Sequence, residues 1–304
     1  MYQNNFKNIL IRANSSFKIG IGHIMRDLIL VKQFTKSNIH FATQNLQGNI
    51  NSQIVQAGYK IKLLKSNDIE ELDHLIKYLK IDLLVIDSYD IDIKYEKQLK
   101  KLNPNLQIMV LDDTYEAHHC DILLNHNIYA KKKKYKNKVP KNCKLLCGKK
   151  YTLLRDEFKK QKNKISKNKS DKTKIFLAMG GADTANLNIK ILKVLEKFEN
   201  IKVNIVSTSA NKNLSKLKKY CKNKSHLKLD INSNKIAKLM AKSTLGIITP
   251  SVTANEASFM NLPFISIKTA SNQKYMYKYL KNTALALKKF DSKELKKLLK
   301  KLIK

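Results

Sequence analysis

Short apolar runs ending in polar residues alternate along nearly the whole chain with stretches of helical periodicity. This alternation confines the fold to parallel α/β layers, because parallel strands must be joined by crossovers and the crossovers are helices. In the first half it predicts strands over Asn8–Ala13, Ile39–Thr43, Lys60–Leu64, Leu83–Asp87, Gln107–Leu111 and Ile122–Leu124. Helices are expected near Gly22–Phe34, Asn49–Ala57 and Ile69–Leu79, with a fourth ending near Leu102. Leu83-Leu84-Val85-Ile86 is apolar until Asp87, the pattern of a strand buried on both faces. The alternation restarts with strands over Lys174–Met179, Lys202–Ser207, Leu227–Leu229, Leu245–Thr249 and Phe264–Ile267. A glycine turn, Gly180-Gly181, is expected to open a helix to Phe198, and further helices are expected near Asn213–Cys221, Lys235–Ala241 and up to Leu280. In the tail, Leu295, Leu298, Leu299 and Leu302 recur at helical spacing.

Between the halves, Gln161 to Thr173 is almost without apolar residues and reads as a linker. The expected fold class is therefore α/β, with two doubly wound Rossmann-like domains facing each other across a cleft. The expected divisions are residues 1–160, a linker at 161–173, and residues 174–304 ending in a lysine-rich helix. No repeat of about 20–50 residues is present, which excludes a solenoid.

Charge raises a different possibility. Sixty Lys and Arg against 24 Asp and Glu give a net charge of +36, which invites a nucleic-acid partner. The basic residues are nearly all lysine, however, and are spread along the chain beside abundant Asn and Ile. That is the signature of an AT-rich coding bias, with lysine wherever a solvated residue is tolerated. Lys131–Lys134 reads accordingly as a solvated loop. No aromatic-rich basic motif is present. The field of such a chain would still attract a small anionic substrate. Four cysteines fit reduced thiols, no apolar run is long enough to span a membrane, and Met1–Lys7 lacks the apolar core of a signal peptide. The chain is expected in the cytoplasm.

Four stretches at strand-to-helix junctions carry the chemistry. In Gly20-Ile21-Gly22-His23-Ile24-Met25-Arg26-Asp27, the third small residue of the dinucleotide fingerprint is replaced by Met25, which argues against a dehydrogenase. His23 lies at the positive end of a helix, which favours neutral imidazole and so a general base. Asp27, one turn on, is placed to accept from its ring. A cap or packing role for His23 stays open. Gly180-Gly181 suits backbone contact to a diphosphate, or is simply a tight turn. Ser251-Val252-Thr253 begins a helix that Ser251 and Thr253 can cap. Glu256, one turn in, suits the two ribose hydroxyls or acts as a capping acid. Asn272-Gln273 offers amides to sugar substituents, or caps a loop. Asp87, Tyr89, Asp112 and Asp113 lie at strand ends and read as site or turn residues. His118-His119-Cys120-Asp121 suggests a metal, but adjacent side chains in an extended chain diverge and Cys143 and Cys147 supply no second pair. No metal is expected.

Taken with Leu84–Tyr89, His118–Asn125, Met179–Asp183, Lys235–Met240, Asn255–Ala257 and Ser271–Gln273, the Gly20–Asp27 stretch resembles a known family. It is that of the UDP-sugar hydrolases of pseudaminic acid biosynthesis, which serve flagellin or surface glycans. They act on UDP-2,4-diacetamido-2,4,6-trideoxy-β-L-altropyranose. The resemblance runs from about Ile9 to Leu280 and implies a fold similar to GT-B glycosyltransferases. It implies His23 as catalytic base, with Gly22, Asp27, Tyr89, Asn272 and Gln273 at the sugar. Ile231 would lie beside uracil, Gly180, Gly181, Ser251, Val252 and Thr253 at the diphosphate, and Glu256 at the ribose. Water attack at the anomeric carbon with inversion is implied. No cofactor is implied, and the expected partner is the UDP-sugar alone, with no nucleic acid and no membrane, on a monomer. The competing reading is a GT-B glycosyltransferase using a UDP-amino sugar.

Overall fold

The computed structural model describes residues 6–162, 173–283 and 285–303. Contacts divide the chain into two compact units, Met1–Leu153 and Leu154–Lys304. This division falls ahead of the expected linker, most of which (163–172) lies outside the described residues.

The first unit holds β1 (Asn8–Ala13), β2 (Asn38–Gln44), β3 (Lys60–Leu64), β4 (Leu83–Asp87), β5 (Gln107–Leu111), β6 (Ile122–Asn125) and β7 (Lys144–Cys147). Its helices are α1 (Gly22–Leu30), α2 (Asn51–Gln56), α3 (Ile69–Tyr78) and α4 (Ile93–Leu102). The seven strands form one parallel sheet in the order β3-β2-β1-β4-β5-β6-β7. Strand order therefore reverses between β1 and β4, where Ala13 pairs with Asp87 and the two chains leave the sheet at the same level. Ligands of open parallel sheets bind at such a reversal, outside the carboxyl ends of the strands.

The second unit repeats the design. It contains β8 (Thr173–Ala178), β9 (Ile201–Ser207), β10 (Leu227–Ile231), β11 (Leu245–Ile248), β12 (Phe264–Ile267) and β13 (Leu285–Leu287). Its helices are α5 (Asp156–Lys162), α6 (Asn188–Leu195), α7 (Leu214–Cys221), α8 (Ile236–Ala241), α9 (Val252–Phe259), α10 (Lys274–Thr283) and α11 (Ser292–Leu302). The order β10-β9-β8-β11-β12-β13 is again parallel throughout and reverses between β8 and β11. Each unit has its own apolar core. Ile9, Ile11, Leu83, Val85 and Met109 belong to the first, and Ile175, Leu177, Ile205, Ile247 and Ile265 to the second.

Four features depart from the sequence reading. β7, β13 and α5 are additional elements, and α5 packs on α8 within the second unit. Lys132–Tyr135 forms a 3₁₀ turn rather than a solvated loop, because Tyr135 is wholly buried while the lysines point outward. The Tyr135 hydroxyl donates to Asp112 and accepts from Asn125 Nδ2 at 2.8 Å. Arg12, inside the otherwise apolar β1, is buried too. It is held by neutral acceptors, Asn14 Oδ1 at 3.0 Å and the Ala42 carbonyl at 3.3 Å among them. The helix after the glycine turn begins only at Asn188.

The lysine-rich tail is a docked helix. Asp291 caps α11 by accepting from the Glu294 amide at 2.8 Å. Leu295 and Leu299 bury completely, and α11 lies against α6. Leu302, on the same spacing, remains 40% exposed. Leu299→Ala should therefore lower unfolding stability by about 2–5 kcal/mol, whereas Leu302→Ala should change it by less than about 0.5 kcal/mol. Urea unfolding of the two variants checks this.

Candidate active site

In the first unit, the chain leaving β1 makes a tight loop before α1. Gly20, at φ +86°, closes it by exchanging backbone hydrogen bonds with Ser16 at 2.8 and 3.3 Å. A left-handed residue is needed there, and glycine takes that conformation without strain. Ser16 Oγ accepts from the Ile19 amide at 2.9 Å. Gly22 then opens α1 on the exposed side, where an added Cβ would meet nothing within 4 Å. No side chain caps this helix and no acid lies in its first turn.

His23, on the first turn, is 6% exposed. Its Nδ1 lies 2.9 Å from the backbone carbonyl oxygen of Asp87 and 3.1 Å from Asp87 Oδ1. Both are acceptors, so Nδ1 carries the proton and Nε2 keeps its lone pair. Tyr89 packs edge-on against the ring, with centroids 4.9 Å apart and planes at 79°.

Asp87 is the centre of the arrangement. Arg26, one turn along α1 from His23, grips it bidentately, with Nε to Oδ2 at 2.6 Å and a second bond to Oδ1. Arg26 also donates to Asp113 Oδ2 at 2.9 Å, and Asp113 Oδ1 accepts from the Tyr89 hydroxyl at 2.8 Å. Burial would raise the Asp87 carboxyl, but the Arg26 charge and its hydrogen bonds outweigh it and hold Asp87 below the ordinary range. The expected ring partner, Asp27, is instead completely buried, with neither oxygen bonded. The ring turns to β4 rather than along its own helix, so Asp27 is not at a substrate-accessible surface.

In the second unit, Gly180 (φ +80°) and Gly181 follow β8. Nothing lies within 4 Å of a Cβ added at Gly180, whereas at Gly181 it would fall 2.9 Å from Thr208 Cγ2. Gly181 is thus pinned against the end of β9, and its carbonyl accepts from the Thr208 amide at 3.1 Å. The expected helix N-terminus is not free, however. Asp183 accepts from the Leu187 and Asn188 amides at 2.9 and 3.0 Å and so caps α6 itself. Any anion at this turn would be held by the glycine backbone rather than by α6.

Beside it, after β11, Ser251 sits at the N-cap of α9 without making a side-chain cap. Its hydroxyl pairs with Thr249 Oγ1 at 3.0 Å. Val252 and Thr253 form the first turn, half-buried. Glu256 is buried, and its Oε1 accepts from Arg155 at 2.9 and 3.3 Å. Burial raises its carboxyl against the opposing pull of Arg155. Ile231 ends β10, half-buried, and the following Asn232 amide donates to the Ser207 carbonyl at 3.0 Å. Asn272 is exposed in a 3₁₀ turn, while Gln273 Oε1 accepts from the Thr269 and Ala270 amides at 2.8 and 3.2 Å. Gln273 therefore serves as the cap of that turn.

At the His-His-Cys-Asp stretch, as elsewhere among the described residues, no group of three or more metal-ligating side chains comes together. His118 turns inward, with Nδ1 2.7 Å from Glu96 on α4 and Nε2 3.9 Å from Asp112. Cys120 Sγ lies 3.7 Å from Cys143 Sγ. No helix among the described residues is long and apolar enough to cross a membrane.

Arg26 and Arg155 were not singled out by sequence reasoning, whereas Asp113 stood there as a site or turn residue and proves to join Arg26 to Tyr89. For Arg26 a signal existed, since it lies three residues after His23 and therefore on the same helical face.

Two parallel sheets, each in Rossmann order with its candidate residues at the strand reversal, define the GT-B class. Solved structures agree. The Acinetobacter baumannii MurG structure superposes with TM-score 0.66 at 13% identity, covering 98% of this chain and 91% of that one. Anabaena Alr3699/HepE, solved in complex with UDP, gives 0.62 at 10% identity, with 98% and 90% covered. No protein-family model matches. The chain is 41% identical over 265 residues to the UDP-2,4-diacetamido-2,4,6-trideoxy-β-L-altropyranose hydrolase of Campylobacter jejuni subsp. jejuni serotype O:2, spanning 87% of this chain and 93% of that protein. It belongs to that hydrolase family and is an enzyme.

The buried histidine outside the site gives a pH test. Burial disfavours a charged His118, but Asp112 and Glu96 outweigh it and raise the ring to about 9. A raised folded value means stability fully present below the unfolded value of about 6.5 and lost as pH climbs through about 9. The Tm difference between the parent and His118→Gln should be largest near pH 6 and shrink toward pH 9.5. A difference that grows with pH would contradict the ion pair.

Proposed function

We propose that this chain hydrolyses UDP-2,4-diacetamido-2,4,6-trideoxy-β-L-altropyranose, releasing UDP and the free sugar as a step in pseudaminic acid biosynthesis. The observation that carries the proposal is the His23–Asp87 geometry, in a chain 41% identical to a hydrolase of that substrate. A ring whose Nδ1–H is held by two acceptors has one nitrogen left for chemistry. Nε2 takes a proton from water as its oxygen bonds to the anomeric carbon. The carbon–oxygen bond to UDP breaks with its electron pair on the diphosphate, so configuration inverts. UDP is a good leaving group, so the main demand is stabilisation of the departing charge.

The proposal assigns that task to the second unit. The Gly180 and Gly181 backbone and the first turn of α9 at Ser251, Val252 and Thr253 receive the diphosphate. Glu256 accepts from the ribose hydroxyls and Ile231 packs on uracil. The absence of a side-chain cap on α9 supports this, because the Ser251 hydroxyl claims none of its first amides. On the sugar side the proposal places Gly22, Tyr89 and Asn272. Tyr89 is 49% exposed, and Asp113 orients its hydroxyl.

Replacing His23 with Ala should reduce turnover by about 10²–10⁴-fold while leaving UDP affinity within about twofold, since the proposal puts UDP on other residues. Near-parental turnover in a folded variant sinks the assignment. Turnover should proceed on the UDP-sugar alone, and in ¹⁸O-water the label should enter the sugar. A requirement for a sugar acceptor would instead favour a glycosyltransferase.

The ribose assignment has its own test. Glu256→Gln should weaken UDP binding by roughly 10–100-fold, the loss of a hydrogen bond to a charged group. The same variant should bind 2′,3′-dideoxy-UDP about as the parent does. Equal losses for both ligands in calorimetry would remove Glu256 from the ribose.

A further inference from the structure

The mechanism above makes no use of the buried acid one turn beyond His23. Asp27 has no exposed surface, and neither carboxylate oxygen has a donor within hydrogen-bond reach. The neighbouring cation, Arg26, directs its guanidinium to Asp87 on β4 and to Asp113 after β5. His126, following β6, feels the charges of Arg26 and Asp87 but gives no cation to the cluster. Burial, reinforced by Arg26, drives its ring down to about 3, and both ring nitrogens are unbonded. His23 presents its one proton to Asp87. An ionised carboxylate in these surroundings would be a buried charge without a hydrogen bond, which costs several kcal/mol. A carboxylic acid, by contrast, brings its own donor.

We propose that Asp27 is held as a neutral carboxylic acid that donates its O–H to Asp87, and that through Asp87 it acts as a positioning residue for His23. One carboxylate then receives four donors: two from Arg26, one from His23 and one from Asp27. That number matches the roughly four lone-pair sites of a carboxylate. Burial first, and then the Asp87 charge beside it, raise the Asp27 carboxyl well above the ordinary range, in agreement with this geometry. Two adjacent buried carboxyls share one negative charge, and Arg26 fixes that charge on Asp87. The O–H of Asp27 draws charge density away from the face of Asp87 that meets His23. Without it, Asp87 would hold an imidazolium more strongly, and the base would be lost at a higher pH.

The catalytic part of this inference rests on the hydrolase reading; the protonation state does not. Infrared difference spectra of the parent against Asp27→Asn at pH 7 should show a protonated carboxyl C=O band belonging to the parent. In [4-¹³C]aspartate-labelled parent, one carboxyl signal should stay protonated between about pH 5 and 8. Loss of the donor in Asp27→Leu should move the acid limb of the kcat profile upward by roughly 0.5–1 pH unit, whereas Asp27→Asn, with its neutral amide donor, should restore the parental limb. Every aspartate ionised at pH 7 overturns the proposal, whether or not the variants fold. An unmoved acid limb in folded Asp27→Leu overturns the positioning role. If His23→Ala keeps parental turnover, the hydrolase mechanism fails while the spectra still decide the state of Asp27.

Discussion

The buried Arg26–Asp87 pair is the interaction on which the first unit's site depends. Removing one partner of such a pair typically costs about 3–5 kcal/mol, because the other charge stays buried. Here the pair also sets geometry. Asp87 ends β4, at the sheet position level with Ala13 at the end of β1, while Arg26 and His23 share a face of α1. Clamping Arg26 to Asp87 therefore fixes the roll of α1, and the roll decides which nitrogen of His23 meets the protein. The backbone carbonyl of Asp87 adds a second acceptor to the same ring nitrogen. The tautomer follows from sheet topology rather than from any residue close to His23 in sequence.

The two units use the same strand reversal for opposite purposes. After β1 the chain delivers a side chain, and the helix end is left without an acid or a cap. After β8 it delivers backbone, because a side chain at Gly181 would collide with Thr208. The helix that follows β8 is capped by Asp183, which claims the Leu187 and Asn188 amides at its start. α9, after the neighbouring strand of the reversal, starts without a side-chain cap. One glycine-containing turn thus mounts the His23 side chain, and the other leaves backbone exposed at Gly180.

The strands were legible because parallel strands buried on both faces are written as continuous apolar runs. β1, β4 and β5 lie where the runs predict them. β7 and β13 escaped for a physical reason. Lys-Leu-Leu-Cys and Leu-Ala-Leu are too short to carry a period, and their pairing comes from the neighbouring strands β6 and β12. Within the site, His23 stood out by its place after Gly20-x-Gly22, yet its partner lies 64 residues away. A pattern read along the chain favours the nearest carboxylate, Asp27, because helical spacing is visible in sequence and sheet register is not. The same limit hid Arg155, 101 residues from Glu256.

The charge imbalance sharpens what the acids mean. With 24 Asp and Glu against 60 Lys and Arg, solvated positions are largely lysine, and many of the remaining carboxylates serve specific contacts. Asp82 accepts from the Lys7 and Asn8 amides at 2.7 and 2.8 Å, tying the start of β1 to the chain entering β4. Asp92 caps α4 and Asp291 caps α11. Asp121 accepts from the Ile108 amide at 2.8 Å and pairs with Lys100. Glu96 holds His118, and Asp112 holds the turn at Thr114 and Tyr115. Each of these carboxylates has a donor assigned by the fold. Asp27 departs from them, being the fully buried acid whose oxygens find none. Its neighbour Arg26 turns its guanidinium to Asp87 and Asp113, and so leaves Asp27 without a donor.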